Sequence, residues 1–312
     1  MLKYVLKRLG YILVTLWVIV TCTFFMMKNL PGTPFDAERF SIMTPQQQER
    51  VLEMYGLNDS LPMQYVKYIK NMLKGDLGTS FTYVNQDVSK VITGRLGPSA
   101  LIGIQAVLIG LAIGLILGIL AAWKHNSGID YFTMILAVLG VSVPNFVAAA
   151  LLQYYIGLKW GALPGGFWTG WNCSVLPSIA LSFSATAMVA RFMRTEMLDV
   201  LDQDYIVTAR AKGLSQMKVL MRHAVRNSIL PVVTILGPIV VNLMTGSLAV
   251  ENIFSIPGIG SLFVDCIKAN DYPVIMGITI FYAAFYMLIV LLVDLAYSLI
   301  DPRIRLAKGK ES

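Results

Sequence analysis

The chain is 312 residues long, 56% of them hydrophobic and only 14% charged, with a formal net charge of +7. A soluble domain carries nearer a quarter charged residues, so this composition excludes an ordinary water-soluble globule. The basic surplus holds no stripe of Lys and Arg interleaved with aromatics, which argues against nucleic-acid binding.

A bilayer core of roughly 30 Å is crossed by about 18 or more apolar residues. Six stretches qualify: 10–27, 100–123, 132–157, 175–192, 229–250 and 274–300. They predict an all-α integral membrane protein with six transmembrane helices. Residues 1–27 form a cytosolic start and the first span. Lys3, Lys7 and Arg8 precede its apolar run as in a signal peptide, but FFMMKNLPGTP offers no small-residue cleavage site. It is read as a retained anchor. Residues 28–98 are too many for a simple connection and predict an outer helical subdomain. Thr44 and Pro45 start a helix that Gly56 ends. A second runs from Pro62 to Leu73 and stops at Gly75, and a third, from Asp87 to Arg95, feeds the second span. The subdomain is a contact surface for a partner, a mouth for substrate, or a cap over the spans.

Spans two to six make one domain over 99–300, followed by a cytosolic tail, 301–312. In the second span Gly110, Gly114 and Gly118 form GxxxGxxxG, a close-packing signal. The third carries Pro144 and Asn145 mid-span, giving either a kinked helix on an aqueous path or an Asn that satisfies backbone freed by the proline. Asn242 in the fifth span is the other path candidate. The fourth span is the weakest, with Pro177 and several Ser and Thr. Trp160, Trp168 and Trp171 read as interface anchors. The segment AVENIFSIPGIGSLFVDCIKANDYP, between the last two spans, is partly apolar and broken by Gly and Pro, as a short re-entrant element would be. Asp294 is the one acid within a predicted span, either paired with a basic loop residue or serving as an ion relay.

With both ends in the cytosol, fifteen of the 25 lysines and arginines fall on the inner side, as the positive-inside rule requires. Cys173 and Cys266 then share the outer side, where a pairing is open and free thiols are the simpler reading. His125 and His223 stand alone, no metal-ligand spacing occurs, and no cofactor is expected. GxxxxGK[ST], GxSxG and HExxH are all absent. That leaves a transport role, including the separate class of ion-coupled secondary transporters, or a membrane scaffold, and no enzyme.

The most patterned polar segment is the loop 193–228, between spans four and five. Asp204 to Leu214 predicts a short helix with Tyr205, Thr208 or Ala209, and Lys212 at helical spacing. Gly213 ends it in a left-handed conformation. Small residues at Ala209 and Ala211 permit close approach of a partner. Ser215 is the expected N-cap of the next helix, with Met217, Leu220, Met221 and Ala224 on one face. The loop is either a docking surface or a solvated basic connection.

TARAKGLSQMKVLMRHAVRNSILPVV resembles the cytosolic loop of permease subunits in binding-protein-dependent ABC importers. Within them it is similar to the peptide and nickel branch, and there to the B-type subunits of oligopeptide permeases. The likeness continues in FFMMKNLPGTPF, YGLNDSLPMQYVKYIKNMLKGDLGTSF, GVSVPNF, ENIFSIPGIGSLF and DPRIR. It implies half of a translocation path for oligopeptides in a bacterial cytoplasmic (inner) membrane, with dipeptides or nickel complexes as alternative cargo. The implied partners are a homologous second permease subunit, two cytosolic ABC ATPase subunits that hydrolyse ATP, an extracytoplasmic solute-binding protein, and membrane lipid. The loop helix becomes a coupling helix seated in an ATPase. The wider importer motif has a Glu-Ala-Ala before its glycine. Here the glutamate position is Val207 or Thr208, so the docking role carries over but a salt bridge from that glutamate does not.

Overall fold

The computed structural model describes residues 2–29, 40, 42–54, 56–83, 86–244 and 248–300; the predicted tail lies outside them. Among the described residues the chain is helical, apart from one isolated antiparallel bridge between Thr79 and Asp87. Among the described residues five helices are long and apolar enough to cross a membrane, or six if one sharply broken pair counts as a single span. The chain divides into two compact units, Met1–Gly97 with Gly258–Phe285 and Pro98–Pro257 with Tyr286–Ser312.

In the first unit the long helix Leu2–Lys28 is joined by the short helices Pro45–Met54 and Leu61–Met72. Thr44 starts the first of these as expected. Its backbone N–H donates to Gln47 Oε1 at 2.9 Å and its Oγ1 accepts from Gln47 N at 3.4 Å, a reciprocal capping arrangement. Leu61–Met72 is tied to the first span by Tyr65, whose hydroxyl lies 2.7 Å from Thr21 Oγ1. Val20, Phe24 and Met276 form a small core around that contact. A second core joins Val88 and Ile92 to Leu262, Val274 and Ile278. Asp271, fully buried, organises the turn beside it. Its carboxylate accepts from Ser80 Oγ, from Thr82 N at 3.0 Å and from Phe81 N at 3.2 Å. Cys266 is a buried free thiol, pushed up to about 12 by burial and by the nearby Asp271 and Asp265 carboxylates.

The second unit is built around the helix Val175–Leu201. Its sequence signal is weak because protein, not lipid, surrounds it: 67% of its apolar window is buried, against 11% for the first span. Small and hydroxyl-bearing residues therefore suit it. A Cβ on Gly110 would stand 2.7 Å from Ala185 Cβ, and one on Gly114 2.7 Å from Val189 Cβ. One on Gly118 would stand 2.6 Å from Ala190 O. The glycine stripe thus lets the two helices touch backbone to backbone. Cys173 is buried and free.

Two expectations change. The helix predicted for 87–95 is not separate: one helix, Val88–Trp123, runs through Pro98 into the second span. The third span is not one kinked helix. Gly128–Ser142 and Asn145–Lys159 meet at 100°. Val143 is extended (φ −82°, ψ 118°) and Pro144 has no N–H to continue the first helix. Glu251, at the start of the Gly- and Pro-broken segment, is 2% exposed and accepts from Ser99 Oγ at 2.7 Å. The side chain of Asp294 lies outside the described residues.

Candidate functional site

The central helix ends at Leu201, and Gln203 is extended (φ −79°, ψ 146°), so the chain turns before the short helix Asp204–Ala211. Gly213 closes that helix at φ +76° and its N–H donates to Arg210 O at 2.9 Å. This is the left-handed stop that the sequence predicts. Nothing lies within 4 Å of where its Cβ would stand, so the glycine is required by backbone conformation and not by packing.

The helix has two faces. Ile206 and Ala209 are buried with Val219, and Val200, Leu201 and Leu214 pack against them. Ala209 therefore lies against its own chain and is unavailable to a partner, unlike the expectation from its size. Asp204, Tyr205, Val207, Thr208, Arg210, Ala211, Lys212 and Gly213 are exposed. Val207, at 59% exposure, is the apolar centre of this face, a role that its place at the wider motif's glutamate position does not signal. The helix is also anchored at Tyr205, whose hydroxyl accepts from Asn227 Nδ2 at 3.1 Å. Asn227 lies in the helix Arg226–Met244.

Ser215 occupies the N-cap position with extended dihedrals, but its side chain makes no capping hydrogen bond. The following helix is α-helical over Gln216–Lys218 and π-helical over Val219–Val225 before Arg226–Met244 continues it. The i→i+5 closure of a π-helix puts Val219 and Ala224 on one face. Val219, Leu220 and Ala224 are accordingly buried, while Met217 and Met221 are exposed at 50% and 54%. The predicted four-residue face is thus split in two.

An unpredicted cluster braces the same end of the central helix. Arg194 donates Nε to Asp130 Oδ1 at 2.6 Å and Nη2 to Asp130 Oδ2 at 2.8 Å. Asn126 N donates to the same carboxylate at 3.0 Å, and His125 Nδ1 lies 3.1 Å from it. Asp130 is 2% exposed, so a buried carboxylate holds the 124–130 connection to the helix that leads into the loop. A bidentate Arg–carboxylate pair is strongly directional.

Of the two path candidates, Asn145 is half-buried at the first turn of its helix and Asn242 is exposed. Among the described residues no cluster of three or more His, Cys, Asp or Glu could hold a metal.

Residues 114–306 match the family described as binding-protein-dependent transport system inner membrane component, and residues 1–96 match the N-terminal region of such membrane components. The dipeptide transport system permease protein DppB of Lactococcus lactis is 46% identical over 98% of this chain and 100% of its own length. The oligopeptide transport system permease protein OppB of Salmonella typhimurium is 40% identical over 98% and 100%. The solved MetNI methionine ABC transporter, in an inward-facing form, shares the fold. The superposition covers 68% of this chain and 96% of that one, with a TM-score of 0.56 and 13% identity. Fold, membrane helices and sequence agree, and the chain belongs to the inner-membrane components of binding-protein-dependent transport systems, the multi-pass permease subunits of ABC importers.

Proposed function

We propose that this permease carries short peptides and that Asp204–Ala211 is the helix through which ATPase movement reaches its spans. Relatives named for dipeptide transport are 46% and 43% identical, and one named for oligopeptide transport is 40% identical. This favours a dipeptide over the oligopeptide expected from the sequence. In this reading a homologous second permease supplies the other half of the path. Two cytosolic ATPase subunits supply the energy and an extracytoplasmic binding protein delivers the peptide.

One observation carries the coupling role. The exposed face of the short helix is backed by Ile206 and Ala209 on Val219, and Tyr205 is tied to Asn227. In this reading a push on the outer face passes through these contacts to the helix Arg226–Met244. Alternating access needs such a stiff link between a moving domain and the spans.

The test pairs two measurements on the reconstituted transporter. A cysteine at exposed Ala211 should cross-link to a cysteine in a groove of the ATPase, and the link should stop transport. Uptake of a labelled dipeptide should be competed by other dipeptides and weakly by pentapeptides. Normal transport in a fully cross-linked sample would refute the coupling role. Dominant competition by pentapeptides would refute the dipeptide assignment while leaving the coupling role intact.

A further inference from the structure

We propose that the first unit carries a binding site for an anionic phospholipid, between the first span and the helix Leu61–Met72. A groove of about 480 Å³ runs there. Its floor is apolar: Trp17 from the span, and Val66, Ile69 and Leu73 from the short helix and its end. Val66, Ile69, Leu73 fall at i, i+3 and i+7, one stripe of an amphipathic helix. Two lysines line the same groove, Lys70 and Lys74. Lys70 lies in the helix and Lys74 just past its end.

The groove is built, because Tyr65 fixes its wall. The Tyr65 hydroxyl bonds Thr21 Oγ1 at 2.7 Å, and its ring stacks on Phe25 with centroids 5.7 Å apart. What it displays is left uncovered. Trp17 and Val66 are each 58% exposed and Leu73 is 79% exposed. These are large apolar surfaces that water does not suit.

The occupant follows from position and charge. Trp17 belongs to a helix apolar enough to cross a membrane and only 11% buried, so the face that continues into the groove is open to lipid. An acyl chain fits its floor. Lys70 and Lys74 are both exposed, and neither has an ion-pair partner among the described residues, whereas neighbouring Lys67 is paired with Asp59 at 2.6 Å. A lipid phosphate between the two ammonium groups supplies the missing charge. Interfacial helices with an apolar face and flanking lysines hold anionic lipid in this manner.

The test uses the assembled transporter in phosphatidylcholine nanodiscs that contain a minor fraction of lipid brominated on its acyl chains. The signal is the tryptophan quenching of the wild type minus that of Trp17→Phe. Brominated phosphatidylglycerol should quench Trp17 with about tenfold higher apparent affinity than brominated phosphatidylcholine, the order expected of two lysines at an anionic headgroup. In the Lys70→Gln, Lys74→Gln double variant the preference should fall to about twofold or less, while quenching by phosphatidylcholine persists and shows the groove is still formed. Equal quenching by both lipids in the wild type would overturn the site. So would a preference that survives the double variant. Loss of all Trp17 quenching in the assembled transporter would mean that protein, not lipid, covers the groove.

Discussion

Gly213 is the residue on which the coupling helix ends, and its tolerance to change follows from two facts: φ is +76° and the space beside it is empty. A β-branched side chain meets no neighbour there but strains the backbone, at a cost of about 1–3 kcal/mol. Gly213→Val should leave assembly intact, lower transport several-fold and uncouple ATP hydrolysis from the loaded binding protein. Gly213→Asn should behave near the wild type, because Asn tolerates the left-handed region. Assays of uptake and of receptor-stimulated ATPase activity check both, and equal loss in the two variants would point to the lost glycine surface instead of strain. That stop was legible because few residues accept a left-handed turn. The inward burial of Ala209 was not, since it depends on Val219, which a local i→i+5 pattern turns towards the loop helix. Hydrophobic spacing read with an α-helical period assigns such a segment to the wrong face.

Among the elements, the connection 124–130 and the helix Val175–Leu201 are joined by the Asp130–Arg194 pair. Removing one partner of a buried pair leaves an uncompensated charge; Arg194 is 21% exposed and keeps some water, so the loss should sit near the low end, about 3 kcal/mol. Asp130→Ala should lower the melting temperature of the purified transporter clearly. Asp130→Asn should lower it less, because its carbonyl oxygen still accepts from Asn126 N. Thermal unfolding by intrinsic fluorescence checks the order, and identical melting of Asp130→Ala and wild type would show the pair to be idle. Nothing in the sequence joins residues 64 positions apart, so this cluster was invisible there. The long apolar helices were legible from length alone. The break at Pro144 was legible as a proline in a span, but its 100° angle was not, because a proline kink and a full break share one local signal. The central helix read weakest for the opposite reason: a helix enclosed by other helices needs small residues more than greasy ones.

At the scale of the whole molecule the charge distribution argues for a topology with both ends in the cytosol. Most lysines and arginines then lie on one side, and the six crossings follow if the broken pair Gly128–Ser142 and Asn145–Lys159 traverses the bilayer once. Lys67, Lys218 and Lys268 are all exposed on the protein surface. A cysteine at any of them is therefore accessible to a reagent that reaches its side of the membrane, and labelling reports the side alone. The background should be cysteine-free, with exposed Cys22 and the buried thiols Cys173 and Cys266 all replaced by Ala, since a Ser hydroxyl in either buried apolar site would need a new hydrogen-bond partner. In intact cells a membrane-impermeant maleimide should label Lys67→Cys and Lys268→Cys but not Lys218→Cys. After permeabilisation all three should label. If the broken pair instead enters and leaves on one side, the number of crossings between Lys67 and Lys218 changes by one. Lys218→Cys would then label from outside together with Lys67→Cys. That single result would replace six crossings with five and place the proposed coupling helix where no cytosolic ATPase can reach it.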